Sequence, residues 1–385
     1  MLRTNTAAHH STVRWGESSK WDSGYDCFGL TECRLAVPGG FQMLADSKTK
    51  PVVAPHTAEG KRLAEAYGEP LLWRKWGPYV SERSWGTVRE DYSESGAAWD
   101  FLSHDMARSK AYRWGEDGMA GICDRYQILV FSVAFWNEQD PILKERAFGL
   151  TPAEGNHGED VKEYYFYLDS TPTHSYMRYL YKYPHSRYPY ERLLQENRLR
   201  GGHGFEFELL DTGIFDHDRY FDVQVEYVKA SAEDICIRIE AFNRGSDAAP
   251  LHLIPHLWFR NTWCWGDEPQ PEPSIRMGSP LGDAVCLIAD DSTAAPLENL
   301  PFTYRLGKRY LYAESSGTPL FTDNESNTER VYGVLNKRAF QKDAFHRAIV
   351  NKEAEAVNPN LVGTKACIDY KYTVPAHGSV VLKLR

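Results

Sequence analysis

FDVQVEY, at residues 221–227, sets the fold class. Phe221, Val223, Val225 and Tyr227 fall on one face, and Asp222, Gln224 and Glu226 on the other. Successive side chains of a strand point to opposite faces, so this period of two describes a strand with one buried and one wet face. The next run, 234–242, repeats it: Ile235, Ile237 and Ile239 point one way, Arg238 and Glu240 the other. Asn243-Arg244-Gly245 turns the chain, and 251–259 brings it back. Strands separated by turns, each hiding one face, predict antiparallel sheets packed as a sandwich.

Outward from this centre the same reading continues. YQILVFSVAFW (126–136) is nearly continuous apolar and suits a strand buried on both faces. The runs 163–168 and 175–183, separated by STPTH, suit a hairpin, although periodicity leaves the second open to a helical reading. Further strands are expected at 284–289, 302–306, 310–313, 367–374 and 379–384. Helices are expected at 57–66, capped by Thr57 and stopped by Pro70, and at 191–200. Residues 137–160 read as a polar, irregular stretch. Residues 1–55 are rich in Ser, Thr, Gly and charge, and predict a poorly ordered extension ahead of one domain over 56–385. The expected architecture is mainly β, a large antiparallel sandwich with a few short helices and long loops. The last strand pattern ends with the last residue, so the chain is expected to stop at a domain edge.

Composition narrows the function. The 385 residues carry a net charge of -9, against the clustered cations that non-specific nucleic-acid binding requires. No stretch approaches the roughly 20 apolar residues of a membrane span. Seven scattered cysteines without a C-x-x-C fit reduced thiols in a cytoplasmic protein. Neither a nucleic acid nor a membrane is therefore expected as a partner. Signatures of serine hydrolases, dinucleotide enzymes, P-loop proteins and zincins do not occur. His252 and His256 lie about 13 Å apart along one strand face, too far to share a metal ion. Asp216-His217-Asp218 reads as a solvated turn, so no metal site and no cofactor are expected.

Three Glu-Asp pairs remain: Glu90-Asp91, Glu116-Asp117 and Glu159-Asp160, in settings rich in Gly and aromatic residues. Glycoside hydrolysis needs two carboxylates on opposite sides of the bond, and one strand offers only one of each adjacent pair to a cleft. The plainer reading pairs these acids with Arg83, Arg89, Arg113 and Lys162. The 11 Trp and 23 Tyr suit sugar rings, whose C–H faces stack on indole and phenol, but they suit a β core equally. Trp76, Trp85, Trp99, Trp114, Trp263 and Trp265 stand beside polar residues or Gly and are the candidates for stacking.

Several strings resemble the N-terminal domain of glycoside hydrolase family 63, including its cytosolic microbial branch. They are LLWRKWGPYVSERSWGTVREDYS (71–93), HDMARSKAYRWGEDGMAGICD (104–124), DPILKERAFGLTPAEGNHGEDVKEYYFYLDSTPTHSYMRYLYKYP (140–184) and LLDTGIFDHDRYFDVQVEY (209–227). NRGSDAAPLHLIPHLWFRNTW (243–263), FTDNESNTERVYG (321–333) and VNPNLVGTKA (357–366) continue the likeness, which spans about 57–385. It implies a super-β-sandwich joined to a C-terminal (α/α)6 barrel that holds the catalytic acid and base. It also implies inverting hydrolysis of α-glucosidic bonds in glucose-containing oligosaccharides. The barrel is expected to be absent from this chain, and no catalytic residue carries over. Trp85, Arg89, Asp91, Trp114, Glu116, Asp117, His157 and Glu159 are the expected substrate- or interface-facing residues. Two rival readings stand beside this one. A free-standing carbohydrate-binding module predicts sugar affinity without turnover. A complete enzyme using two of the Glu-Asp pairs predicts activity lost on Glu→Gln or Asp→Asn changes there.

Overall fold

The computed structural model describes residues 56–68, 72–81, 102–112, 117–155, 160–264, 268, 270–297 and 300–385. The chain divides into two compact units, Met1–Pro51 and Val52–Arg385, and all described residues belong to the second. The expectation of a poorly ordered extension over 1–55 lies outside the described residues.

Seventeen described strands follow in chain order. They are β1 (Trp76–Tyr79), β2 (Ile122–Asp124), β3 (Leu129–Trp136), β4 (Gly149–Leu150), β5 (Asp160–Val161), β6 (Tyr165–Ser170), β7 (Tyr176–Pro184), β8 (Tyr220–Ser231) and β9 (Asp234–Asn243). Then come β10 (Ala249–Phe259), β11 (Ser274–Met277), β12 (Ala284–Asp290), β13 (Lys308–Glu314), β14 (Thr318–Thr322), β15 (Val362–Gly363), β16 (Lys365–Val374) and β17 (Ser379–Leu384). The helices are α1 (Ala58–Gly68), α2 (His104–Ala107), α3 (Tyr190–Arg200), α4 (Thr328–Tyr332) and α5 (Ala344–Ile349). None is long and apolar enough to cross a membrane.

The strands form a six-stranded sheet, β1-β2-β3-β10-β16-β14, and a nine-stranded sheet, β15-β11-β12-β13-β17-β9-β8-β7-β6, with β4 and β5 paired apart. Every pairing is antiparallel, as period-two strands joined by turns require. In the large sheet Tyr181 stands opposite Val223, and Val223 opposite Ala241, so one apolar face runs across β7, β8 and β9. Phe131, Val133 and Phe135 of β3 and Leu251, Leu253 and Leu257 of β10 meet it from the small sheet. Phe135 stacks on Tyr181 with centroids 5.5 Å apart, and Phe131 meets Tyr227 edge-on at 6.1 Å. Burial of each such side chain contributes about 1.5–3 kcal/mol.

Two tyrosines of this core place their hydroxyls on buried carboxylates. Tyr181 donates to Glu163 at 2.8 Å and Tyr183 to Asp140 at 3.2 Å. Asp124 accepts the backbone N–H groups of Tyr126, Ile128 and Leu129, which fixes the β2–β3 turn. The hairpin reading of 163–183 holds: β6 and β7 pair directly, and the helical alternative is not taken. The helix expected at 57–66 is α1, with Thr57 Oγ1 accepting from Gly60 N at 3.0 Å.

The strand expected at 302–306 is a correction. Leu306 N and Gly307 N donate to the Asp291 carboxylate, at 2.9 and 2.6 Å, instead of to a neighbouring strand. The described part of 137–160 is largely irregular, as expected, but much of it is buried. Leu143, Lys144, Glu145, Arg146, Ala147 and Phe148 are all buried.

Candidate functional site

Both faces of the small sheet are covered. Its inner face makes the apolar core. Its outer face presents Ser132, Ala134 and Trp136 from β3, His252, Ile254, His256 and Trp258 from β10, and Lys365, Cys367 and Asp369 from β16. Leu143, Phe345 and Ile349 lie over Ala134, Trp136, Ile254 and Cys367, sealing one part of this face with apolar contacts.

Val80 and Cys123 pack with Trp258 at another part, and a third part is sealed by charge. Glu145 Oε1 takes the Lys365 ammonium at 2.8 Å and lies 3.7 Å from His256 Nδ1. Lys365 also donates to the Lys342 carbonyl at 3.1 Å. The Lys342 ammonium sits 3.6 Å above the Tyr112 ring. Arg146 Nε bonds Asp117 Oδ2 at 3.0 Å, and the Tyr112 hydroxyl donates to the same oxygen at 2.9 Å. On the other flank, Lys144 pairs with Glu163 at 2.7 Å and lies 3.7 Å over the Tyr188 ring. The three successive charges of Lys144-Glu145-Arg146 thus each find a different partner. Each of these paired cations and carboxylates is at most 8% exposed.

Burial works against the Glu145 carboxylate, but Lys365, His256 and Arg146 outweigh it and hold its pKa far below the usual range. Burial, with help from Lys365, pushes His256 down to about 3, so its ring is neutral at neutral pH. Asp140 moves the other way: burial carries it up to about 6 against the pull of Lys144. Ser132 stands directly across from His256, so a hydroxyl, an imidazole and a carboxylate are grouped here. They are 1%, 1% and 5% exposed, and the carboxylate is engaged by Lys365. Buried and already engaged in this way, the group braces the sheet.

A second charged cluster is more accessible. Arg338 contacts Glu272 at 2.8 Å, Glu325 at 3.5 Å and Asp323 at 3.9 Å. Burial, reinforced by Glu272 and Glu325 against Arg338, raises Asp323 to about 6. Trp263 Nε1 donates to Glu325 at 2.6 Å.

Of the eight residues expected to face substrate or an interface, Asp117 alone falls among the described residues. It is 3% exposed and paired with Arg146, so it faces the chain's own interior, a correction to the expected role. Trp85, Arg89, Asp91, Trp114, Glu116, His157 and Glu159 lie outside the described residues. Lys162 binds Glu206 at 2.6 Å and Glu208 at 2.7 Å. Trp76 and Trp263 are core residues, 9% and 3% exposed, rather than stacking platforms. His252 is held by Asp369 at 2.7 Å and Glu138 at 3.3 Å. Sequence reasoning missed the role of 143–146, because every partner there lies far away along the chain.

These features define an antiparallel two-sheet protein with an ionic layer on the outer side of its smaller sheet. No family model matches the chain. An uncharacterized protein of Saccharomyces cerevisiae, YMR196W, is 40% identical to it over 348 residues, which cover 82% of this chain. The matched region is 31% of the yeast protein, so the chain spans less than a third of that relative's length.

Proposed function

We propose that this chain is the N-terminal, non-catalytic part of a family 63 type glycoside hydrolase. The whole enzyme would be an inverting α-glucosidase acting on glucose-containing oligosaccharides in the cytoplasm. The observation that carries the reading is where the family-like strings meet. Asp117, Glu145 and Arg146, His256 and Lys365 come from four separate strings, and they interlock in one buried layer. The family-like strings therefore include residues that stiffen a platform. A stiff sheet suits a domain that braces a C-terminal (α/α)6 barrel and forms part of the wall of its cleft. The length of the yeast relative outside the matched region leaves room for such a barrel. Cys123, Cys236, Cys264, Cys286 and Cys367 are free thiols, which supports a reducing compartment.

The test compares a longer polypeptide that carries this chain with the 385-residue chain alone, on α-glucosyl di- and oligosaccharides. Proton NMR would follow the anomer of the released glucose. The long form should release β-glucose, the product of inversion at an α-linkage, and the short form none. Turnover by the short form, or none by the long form on any α-glucoside, would refute the reading.

A further inference from the structure

At one end of the nine-stranded sheet, two adjoining pockets share Ser186, Arg187 and Arg219 in their walls. Their volumes are about 320 and 290 Å³. The first also takes in Arg192, Asp216 and His217, and the second His185 and Asp247. Small-ligand sites are commonly clefts of about this size.

The walls are pinned before any ligand arrives. Asn137 Nδ2 donates to the carbonyls of Pro184 and Ser186, at 2.7 and 3.0 Å. Asn243 Nδ2 donates to the carbonyls of Asp247 and Val374, at 2.8 and 3.0 Å, and its Oδ1 accepts from Gly245 N. A Cβ at Gly245 would meet the His185 ring at 3.0 Å, so a side chain there would push the ring out of place by a few tenths of an ångström. Two successive non-glycine residues, His217 and Asp218, hold positive φ angles of 61° and 56°. Such conformations cost on the order of 1–3 kcal/mol each and collect at binding sites.

The chemistry of the lining is divided. Arg187 is held only loosely, 3.6 Å from Glu191 with both side chains exposed, and no ion pair engages Arg219 among the described residues. Two guanidinium forks so placed suit the oxygens of a phosphate group. Asp216 and Asp247 repel that group but accept hydroxyl donors. His185 is kept neutral, burial and then Arg219 holding it near 4. Its Nε2 is buried without a hydrogen-bond partner among the described residues. Cations for an anionic end and acceptors for hydroxyls thus line one continuous groove.

We infer that this groove binds a phosphorylated sugar or polyol, with Arg187 and Arg219 taking the phosphate and Asp216 and Asp247 the hydroxyls. The inference does not depend on the proposed glycosidase role.

Titration calorimetry on the full chain would use glucose 6-phosphate, inorganic phosphate and glucose as probes. The sugar phosphate should bind, phosphate more weakly, and glucose not measurably. Arg187→Ala and Arg219→Ala should each weaken glucose 6-phosphate on the order of tenfold, and phosphate in parallel. Asp247→Asn should bring the sugar phosphate down toward the level of free phosphate. These side chains are exposed, so melting temperatures should not move, and Arg219→Gln gives a second test that keeps most of the packing. Unchanged affinity in a folded Arg187→Ala/Arg219→Ala chain would overturn the inference. So would glucose binding as tightly as its phosphate, or none of the probes binding.

Discussion

Two sheet faces of this molecule carry ion pairs, and they are opposites. On the outer face of the large sheet, Arg238 bridges Glu226 at 3.1 Å and Glu240 at 2.7 Å. Asp222 there joins Lys182 and Arg244. These side chains lie in or near water. On the outer face of the small sheet, Glu145 and Lys365 lie at the same kind of distance but are only 5% and 3% exposed. Geometry alone does not rank them. An exposed pair gives back most of its Coulomb gain to hydration and side-chain entropy, whereas a buried pair has already lost its water and each member depends on the other.

The sharpest break of this comparison is Glu145→Ala, which leaves the Lys365 ammonium buried without its carboxylate. It should cost about 3–5 kcal/mol, read by urea denaturation. A loss under about 1 kcal/mol would mean that water reaches the layer. Replacing both partners, Glu145→Leu with Lys365→Met, should recover most of the loss, because two packed apolar groups need no desolvation. Failure to recover would assign the cost to shape rather than charge.

Acid sharpens the comparison further. The folded pKa of His256 lies near 3, well below its ordinary 6.5, so the unfolded chain binds the proton first. Its contribution is complete above about pH 6.5 and is lost as pH falls toward 3, by up to about 1.4 kcal/mol per pH unit. Glu145, also depressed, adds a loss below about pH 4.5. Asp140 and Asp323, raised to about 6, have the opposite sign and lose stability as pH rises through that value. His256→Gln should therefore flatten the stability profile between pH 6.5 and 4.5 by about one proton, measured as melting temperature against pH. An unchanged slope would mean that His256 is already charged in the fold. The smallest effect belongs to the wet face: Arg238→Ala should cost about 0.2–1 kcal/mol and lose even that in high salt.

The same contrast explains what could be read in the sequence. β8 and β9 announce themselves because one face is wet, and polar residues mark every second position. β10 reads as a strand, but LHLIPHLWF does not say what His252 and His256 touch. DPILKERAF, at 140–148, looks like solvated loop because its charges are visible and their partners are not: Lys365 lies 220 residues beyond Glu145. β14 carries Pro319 inside it, which hides its strand pattern in the sequence and is tolerable because β14 is an edge strand. The stretch 302–306 was overread for the converse reason. Its alternation is real, with Tyr304 packed 4.5 Å from Tyr126, but Asp291 takes the donors that a ladder would use. Among the candidate site residues, Asp117 was identified as a carboxylate of interest, but its partner Arg146 was not, since local spacing pointed to Arg113.

The place of the last two long strands bears on how the protein is made. β16 lies between β10 and β14, and β17 between β9 and β13. While the ribosome is still short of residue 365, β10, β9 and β13 each present an open hydrogen-bonding edge, β14 has no strand to pair with, and neither large sheet is complete. Pairings of such long sequence separation form slowly, because a long loop must be ordered before any contact rewards it. The nascent chain therefore passes through a stage with several sticky edges, a stage at which chaperone binding or pairing between neighbouring chains competes with folding.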